Sequence, residues 1–384
     1  MKNQINTALQ AVCRQGLLDE VSSAVVAGVS VSQERGRLRA CFAGGRTRMD
    51  GAGMPVDEGT VFDLASLTKP LCTALLTLSL VGRNRLQLDD TLAKVMDVSL
   101  PEDKKSLKIV QLLSHSAGLL PYRPYYREFG AELRKEGTCQ LFERIVAEPL
   151  VYPPGSECRY SDLGYMLLGH LVEHLTGRSL SACLRQQITE RLGLATDLFF
   201  LPVDRPLPME KNRIAATEDC PWRGRVLQGE VHDEHCWLMG GVAGHAGLFG
   251  TLRGVMGLCE WVLDLWQGRT DHPDLPVELL RTALTRQLAN ETWCLGFDTP
   301  TPGSSSSGRY FSAQSVGHLG FSGTSFWIDP EKDAVVVLLT NRIHPSQKNQ
   351  PIPRFRPLFH DRVIASVKAG GAEGLEKKKK KPCH

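Results

Sequence analysis

The stretch Ser66-Leu67-Thr68-Lys69-Pro70 constrains the fold of this chain more than any other. A proline has no N–H for the residue four positions before it and is tolerated in the first turn of a helix. The apolar run Leu71-Cys72-Thr73-Ala74-Leu75-Leu76 therefore predicts a helix that begins near Ser66. The short apolar segment Val61-Phe62-Asp63-Leu64-Ala65 leads into it. Residues three apart share a helix face, which sets the Lys69 amine within reach of the Ser66 hydroxyl. Ser66 then lies at the positive helix end, where unpaired amides and the macrodipole favour an oxyanion and disfavour an ammonium, so a buried Lys69 is expected to be able to accept a proton. A Ser-x-x-Lys turn arises by chance about once in a chain this long and is most often a solvated helix start, so its companions decide its meaning.

Two further segments are candidates for that company. Tyr160-Ser161-Asp162 follows the turn signal Pro153-Pro154-Gly155 and precedes an apolar helix from Met166 to Leu175. A tyrosine there either points into a cleft or caps the helix as a half-buried ring. From Gly317 to Ile328, around His318-Leu319-Gly320, small and apolar residues alternate as on an inner strand. Asp329-Pro330-Glu331-Lys332-Asp333 then reads as a turn and Ala334 to Thr340 as a second strand, predicting one hairpin. Glycines in such a strand let a substrate approach the backbone, or simply bend it. A serine hydroxyl becomes a useful nucleophile only with a proton acceptor and with donors aimed at the developing oxyanion. Nucleophile, base and oxyanion-side strand occur here in that order.

Elsewhere the chain is laid out discontinuously. A first helix with Ile5, Leu9 and Val12 on one face precedes candidate strands at Ala24 to Ser32 and Arg39 to Gly44. Their natural partners are the strands near Phe321 and Val335, with a final helix around Pro357 to Val367 packed on the sheet. The expected fold is α+β, sandwich-like: an antiparallel sheet flanked by helices, built from residues 1–70 and 295–368, plus a helix-rich domain over 71–294. The active site is expected between them. Residues 369–384 are expected to be a disordered, solvated tail. Its five lysines, Lys377 to Lys381, against Glu373 and Glu376 account for the whole formal net charge of +3. The body is thus near neutral, which argues against a nucleic-acid-binding surface; contact of the tail with an anionic membrane or polyanion is the minor alternative.

The chain resembles the class C β-lactamase and penicillin-binding-protein superfamily of serine hydrolases. The resemblance runs from about Val25 to about Arg342 and rests on Ser66-x-x-Lys69, Tyr160-Ser161-Asp162 and His318-Leu319-Gly320 in the family's order. Leu86 to Asp90, Leu107 to Leu119 and Gly244 to Leu252 also look like family segments. It implies a β-lactamase/transpeptidase-like fold, Ser66 as the acylated nucleophile, Lys69 as its proton partner and Tyr160 as the base that hands a proton to the leaving group. The backbone amides of Ser66 and Phe321, the latter just beyond Gly320, would form the oxyanion hole. Two residues depart from the pattern. Asp162 stands where most such β-lactamases have the asparagine that bonds the acyl amide, and His318 where they have the lysine that helps hold a carboxylate. An ionised Asp162 only accepts, and His318 is mostly neutral at pH 7. Asp162 could also pair with Lys69, keeping it charged and shifting the base role to Tyr160. Weak β-lactam hydrolysis and an esterase, amidase or D-peptidase activity on a small acyl or peptidoglycan-derived substrate are the expectation. β-Lactamase or penicillin-binding carboxypeptidase is the alternative, and an inactive binding or sensor module the second. No Gly-x-Ser-x-Gly elbow occurs.

Gly229 to Trp237 carries His232, Asp233, Glu234 and His235, with His245 nearby, which could in principle bind zinc. Without Cys-x-x-Cys or His-Glu-x-x-His spacing the preferred reading is a loop lining the cleft, with no metal or cofactor. It is similar to a segment of a branch that includes muropeptide amidases, where Asn usually replaces His235. Eleven scattered cysteines read as reduced core thiols, the amino-terminal residues lack the apolar core of a secretion signal, and no stretch approaches the roughly 20 apolar residues of a membrane span. A cytoplasmic location follows as the expectation; the oligomeric state does not follow from the sequence.

Overall fold

The computed structural model describes residues 1–34, 36–129 and 137–379, without the side chains of residue 137 and of 368–379. Helix α1 (Lys2–Leu18) leads into strands β1 (Ala24–Gln33) and β2 (Gly36–Gly45). A two-residue strand β3 (Phe62–Asp63) precedes the helical run α2 (Ala65–Gly82). Later come α3 (Asp162–Thr176), β4 (Leu198–Phe200), α4 (Glu234–Leu238), β5 (Leu248–Gly250) and α5 (Leu252–Trp266). Strands β6 (Val316–Leu319), β7 (Ser325–Asp329) and β8 (Ala334–Thr340) precede the last helix α6 (Ile352–Lys379).

The main sheet has the order β2-β1-β8-β7-β6, antiparallel throughout, so strands from the two chain ends lie side by side at its centre. The fold class is the mixed one expected, an antiparallel sheet flanked by helices. Every residue of β8 is buried, and β1 is buried over its first eight. Continuous apolar runs such as Val335-Val336-Val337-Leu338-Leu339 are what a sheet covered on both faces requires. Ile5, Leu9 and Val12 of α1 with Phe355, Phe359 and Val363 of α6 cover one face. Gly16 lets the two helices close, since a Cβ there would lie 2.6 Å from the Phe355 ring. The opposite face joins the large core of the helix-rich segment, and α5, which lies within 71–294, packs directly on β1, β7 and β8. A small sheet β3-β5-β4 lies beside the nucleophile segment.

Two readings of the sequence change, and one apolar run of membrane length turns out to be core. The segment around His318 is two strands, β6 and β7, joined by a tight turn: Gly320 N–H bonds the Thr324 carbonyl at 2.8 Å, and Gly323 turns the chain at φ +98°, giving a three-stranded meander with β8. Alternation of small residues looks the same through a glycine turn as along a strand. The run Ala65–Gly82 is long and apolar enough, by length and composition, to cross a membrane, with 83% of it buried inside the protein; its apolar residues are spent on the core. The final helix runs on to Lys379, through much of the stretch expected to be a disordered tail; the rest of that tail, 380–384, lies outside the described residues.

Candidate active site

The chain places Ser66 by strain and anchorage together. Ala65 has φ +49°, a left-handed turn that ends β3 abruptly and starts α2. Asp63 holds that turn: its carboxylate accepts from the Ala65 amide at 2.8 Å and the His232 amide at 2.8 Å, while its own carbonyl accepts from Ser322 Oγ at 2.7 Å. The α2 run opens as a 3₁₀ turn and passes through a π turn over Lys69–Ala74, with Pro70 in its first turn as its missing N–H demands.

Lys69 is fully buried, and its Nζ donates to three acceptors: Asp162 Oδ1 at 2.6 Å, the His245 carbonyl at 3.0 Å and Ser66 Oγ at 3.2 Å. Three bonds satisfy an ammonium's three protons. Burial pulls its pKa below the usual lysine range, against the opposing pull of Asp162. The His245 carbonyl reaches this depth because the loop meets α3 through glycines: a Cβ on Gly169 would lie 2.8 Å from Gly244 Cα, and the Gly244 carbonyl accepts from Thr73 Oγ1 at 2.7 Å. His245 Nε2 in turn bonds Asp233 Oδ1 at 2.8 Å.

Tyr160 precedes the Ser161 cap of α3. Its hydroxyl lies 2.7 Å from Ser66 Oγ and 3.1 Å from Asp162 Oδ1, and Lys69 Nζ sits 4.7 Å from its ring centre. Burial, then the Asp162 charge, pushes the phenol well above its ordinary pKa. Ser66, Lys69, Tyr160 and Asp162 are thus one hydrogen-bonded cluster, with the Lys69–Asp162 pair that the residue types allowed. His115, at φ +58°, fixes Tyr160 from behind: its Nδ1 accepts the Ser161 amide at 3.0 Å and its ring packs 4.8 Å from the phenol.

A cavity of about 660 Å³ opens on Ser66 and Tyr160 and is lined by Asp162, Trp293, His318, Gly320 and Phe321 among others. His318 is neutral. Its Nδ1 lies 2.8 Å from the Leu319 carbonyl, an acceptor, so this nitrogen carries the proton; burial, then the nearby Lys69, lowers its pKa to about 3. Gly320 leaves no room for a side chain, because a Cβ would meet Thr324 Oγ1 at 2.0 Å and the Leu64 carbonyl at 2.7 Å. Arg356 braces the same turn by donating to the carbonyls of Gly320, Gly323 and Thr324.

The residues of the Gly229–Trp237 loop separate. His232 pairs with Glu218 at 3.0 Å, His245 with Asp233, and His235 is packed among Tyr122, Tyr125 and Tyr126. Among the described residues no three His, Cys, Asp or Glu side chains converge as a metal set. Sequence reasoning had missed the positioning roles of His115, Trp293, the His245 carbonyl and Arg356. His115 and His245 lay in stretches the family resemblance had singled out, without a role assigned there; Trp293 acts by packing and Arg356 by bonds to backbone carbonyls, which leave no motif.

Fold and site define a serine hydrolase in which a serine at a helix start lies beside a buried lysine and a tyrosine. The chain belongs to the Beta-lactamase family, whose sequence profile matches residues 20–358. It is 35% identical over 311 residues to an Escherichia coli K12 protein named "Putative D-alanyl-D-alanine carboxypeptidase", covering 74% of this chain and 70% of that one. Among solved structures it is similar to EstCE1, a hydrolase with promiscuous acyltransferase activity, at a TM-score of 0.75 and 22% identity over 94% of this chain and 99% of that one. It is also similar to the octameric penicillin-binding protein homologue from Pyrococcus abyssi, at 0.70 and 19% over 94% and 77%. At these identities the two structures speak for the fold alone.

Proposed function

We propose that the protein cleaves an ester or amide bond of a small acyl or peptidoglycan-derived substrate through an acyl-enzyme on Ser66. Ser66 Oγ, hydrogen-bonded to both Lys69 Nζ and the Tyr160 hydroxyl at the floor of the cavity, carries this reading. Tyr160 has one proton and two oxygen neighbours. The phenol can donate to Ser66 at 2.7 Å or to Asp162 at 3.1 Å; Asp162 as a carboxylate can only accept, so in the reacting arrangement the phenol proton turns to Asp162 and the phenol oxygen accepts from Ser66. Attack then forms the Ser66 Oγ–acyl bond while the serine proton moves to Tyr160 and the tyrosine proton to Asp162. Collapse reverses the relay, Tyr160 protonating the departing oxygen or nitrogen. Lys69, as ammonium, holds the negative charge in place, and the amides of Ser66 and Phe321 are the proposed oxyanion donors. A water then repeats the sequence to release the acid.

The E. coli relative's name favours a D-peptide amide, and an ester is the other candidate. β-Lactam turnover is expected to be weak, because His318 is neutral where the resembled β-lactamases carry a lysine. A cytoplasmic location is proposed on the ten described cysteines, all free, seven of them buried. The test is covalent: the protein and Ser66→Ala are incubated with a fluorophosphonate and a fluorescent penicillin and mapped by intact mass and peptides. A phosphonate adduct on Ser66 that the variant lacks is expected. Folded protein with no adduct from either probe refutes the assignment and favours a binding module.

A further inference from the structure

His318 Nε2 is a bare acceptor. With the Nδ1 proton on the Leu319 carbonyl, Nε2 keeps its lone pair; the residue is 2% exposed, lines the cavity, and gives Nε2 no hydrogen-bond partner. A buried acceptor left empty costs free energy that a donor from outside would recover. Asp298 lines the same cavity beside it, its backbone bonded to Gly317 in both directions across the start of β6. Its carboxylate accepts from the Thr299 amide at 2.9 Å and forms no ion pair among the described residues. Burial raises that carboxyl to about 6, against the opposing pull of hydrogen bonds from Thr292 and Thr299 and of the Arg286 charge. The Trp293 ring completes the compartment, 5.7 Å from both Tyr160 and His318.

Tyr160 faces this compartment, so it is where the departing half of a substrate lies if Tyr160 protonates the leaving group. We infer that the leaving-group subsite of this enzyme, formed by His318 Nε2, Asp298 and Trp293, selects a cationic amine rather than a carboxylate. The inference rests on the acyl-enzyme reading above. An ammonium offers a proton to Nε2, charge to Asp298 and a cation to the indole face. The cavity's two arginines point the opposite way in sign, but three of the five N–H donors of each are turned to the backbone: Arg356 Nε and Nη2 to the turn carbonyls, and Arg342 Nε and Nη1 to those of Phe321, Gln347 and Asn349.

Three esters of one acyl group separate the possibilities, with leaving alcohols 2-(dimethylamino)ethanol, 2-methoxyethanol and glycolate, compared by kcat/KM on the full chain. The dimethylammonium ester is expected to exceed the methoxy ester about tenfold and the glycolate ester by more. Asp298→Asn should reduce the first ratio to about threefold or less, and His318→Lys should invert the order toward glycolate. A wild-type preference for glycolate, or a ratio that Asp298→Asn leaves unchanged, overturns the inference while leaving the acyl-enzyme reading intact. Failure of all three esters together with absence of a phosphonate adduct on Ser66 overturns both.

Discussion

Asp162→Asn asks the sharpest question of this site, because Asp162 touches both groups that could take the serine proton. Lys69 is 0% exposed, and its shortest bond, 2.6 Å, is to this carboxylate. Stripping the partner from a buried ion pair costs about 3–5 kcal/mol. The Asp162 side chain is 18% exposed, and asparagine keeps an oxygen that can accept from Nζ, which brings the expected loss to about 2 kcal/mol. The pH dependence carries a definite sign. Lys69 already has a folded pKa below its unfolded one, so the folded state binds fewer protons between the two values and stability rises with pH across that interval. Removing the charge that holds Lys69 up extends the interval to lower pH. The variant's deficit should therefore be greatest near pH 6 and shrink as pH rises through the wild-type Lys69 pKa. Urea unfolding of both proteins from pH 6 to 10 measures it. The same substitution deletes the end of the Tyr160 relay, and fluorophosphonate labelling of Ser66 should slow about 100-fold. Labelling within threefold of wild type would assign the serine proton to a neutral Lys69 instead, and a deficit flat in pH would show that the Lys69–Asp162 pair does not set the lysine's charge.

Three further substitutions test other parts of the site. Tyr160→Phe should slow labelling about 100-fold or more while moving the unfolding midpoint little, since the ring packing stays and only the hydroxyl leaves; unchanged labelling removes Tyr160 from the chemistry. Gly323→Ala should cost about 2 kcal/mol or more by urea unfolding, because the residue sits at φ +98° and a Cβ would come 2.0 Å from Thr340 Oγ1; a neutral result would mean the turn relaxes freely. Arg356→Met should slow labelling about tenfold by loosening the turn that presents Phe321; a loss of stability with normal labelling would make Arg356 purely structural.

Much of this arrangement is legible in the residues. Pro70 dates the start of α2 to within a turn, and the β1 and β8 runs announce buried strands. Ser66 and Lys69 meet because their spacing of three is a local fact, whereas Tyr160 reaches Ser66 across 94 residues of sequence, a convergence that only the family resemblance anticipated. The turn at Gly320–Thr324 was not legible, since its hydrogen bond and its left-handed glycine involve residues that would alternate just as well along a strand. The proton state of His318 turns on which nitrogen meets a backbone carbonyl, and no sequence contains that information.

The middle of the main sheet joins the two ends of the polypeptide: β1 pairs with β8 from Val25↔Thr340 to Val31↔Ala334, and Ser22 bonds Asn341 across 319 residues of sequence. On a ribosome this pairing cannot form until Ala334 to Thr340 have emerged. The helical segment that carries Ser66, Lys69 and Tyr160 can collapse on its own apolar residues well before then. The turn bearing Phe321, and with it the anchors on the Asp63 and Leu64 carbonyls, arrives later, ahead only of β7, β8 and the α6 helix that braces it. A nascent chain should thus hold its nucleophile in a half-built site that cannot stabilise an oxyanion, and reactivity toward acyl compounds should switch on only at the final closure of the sheet.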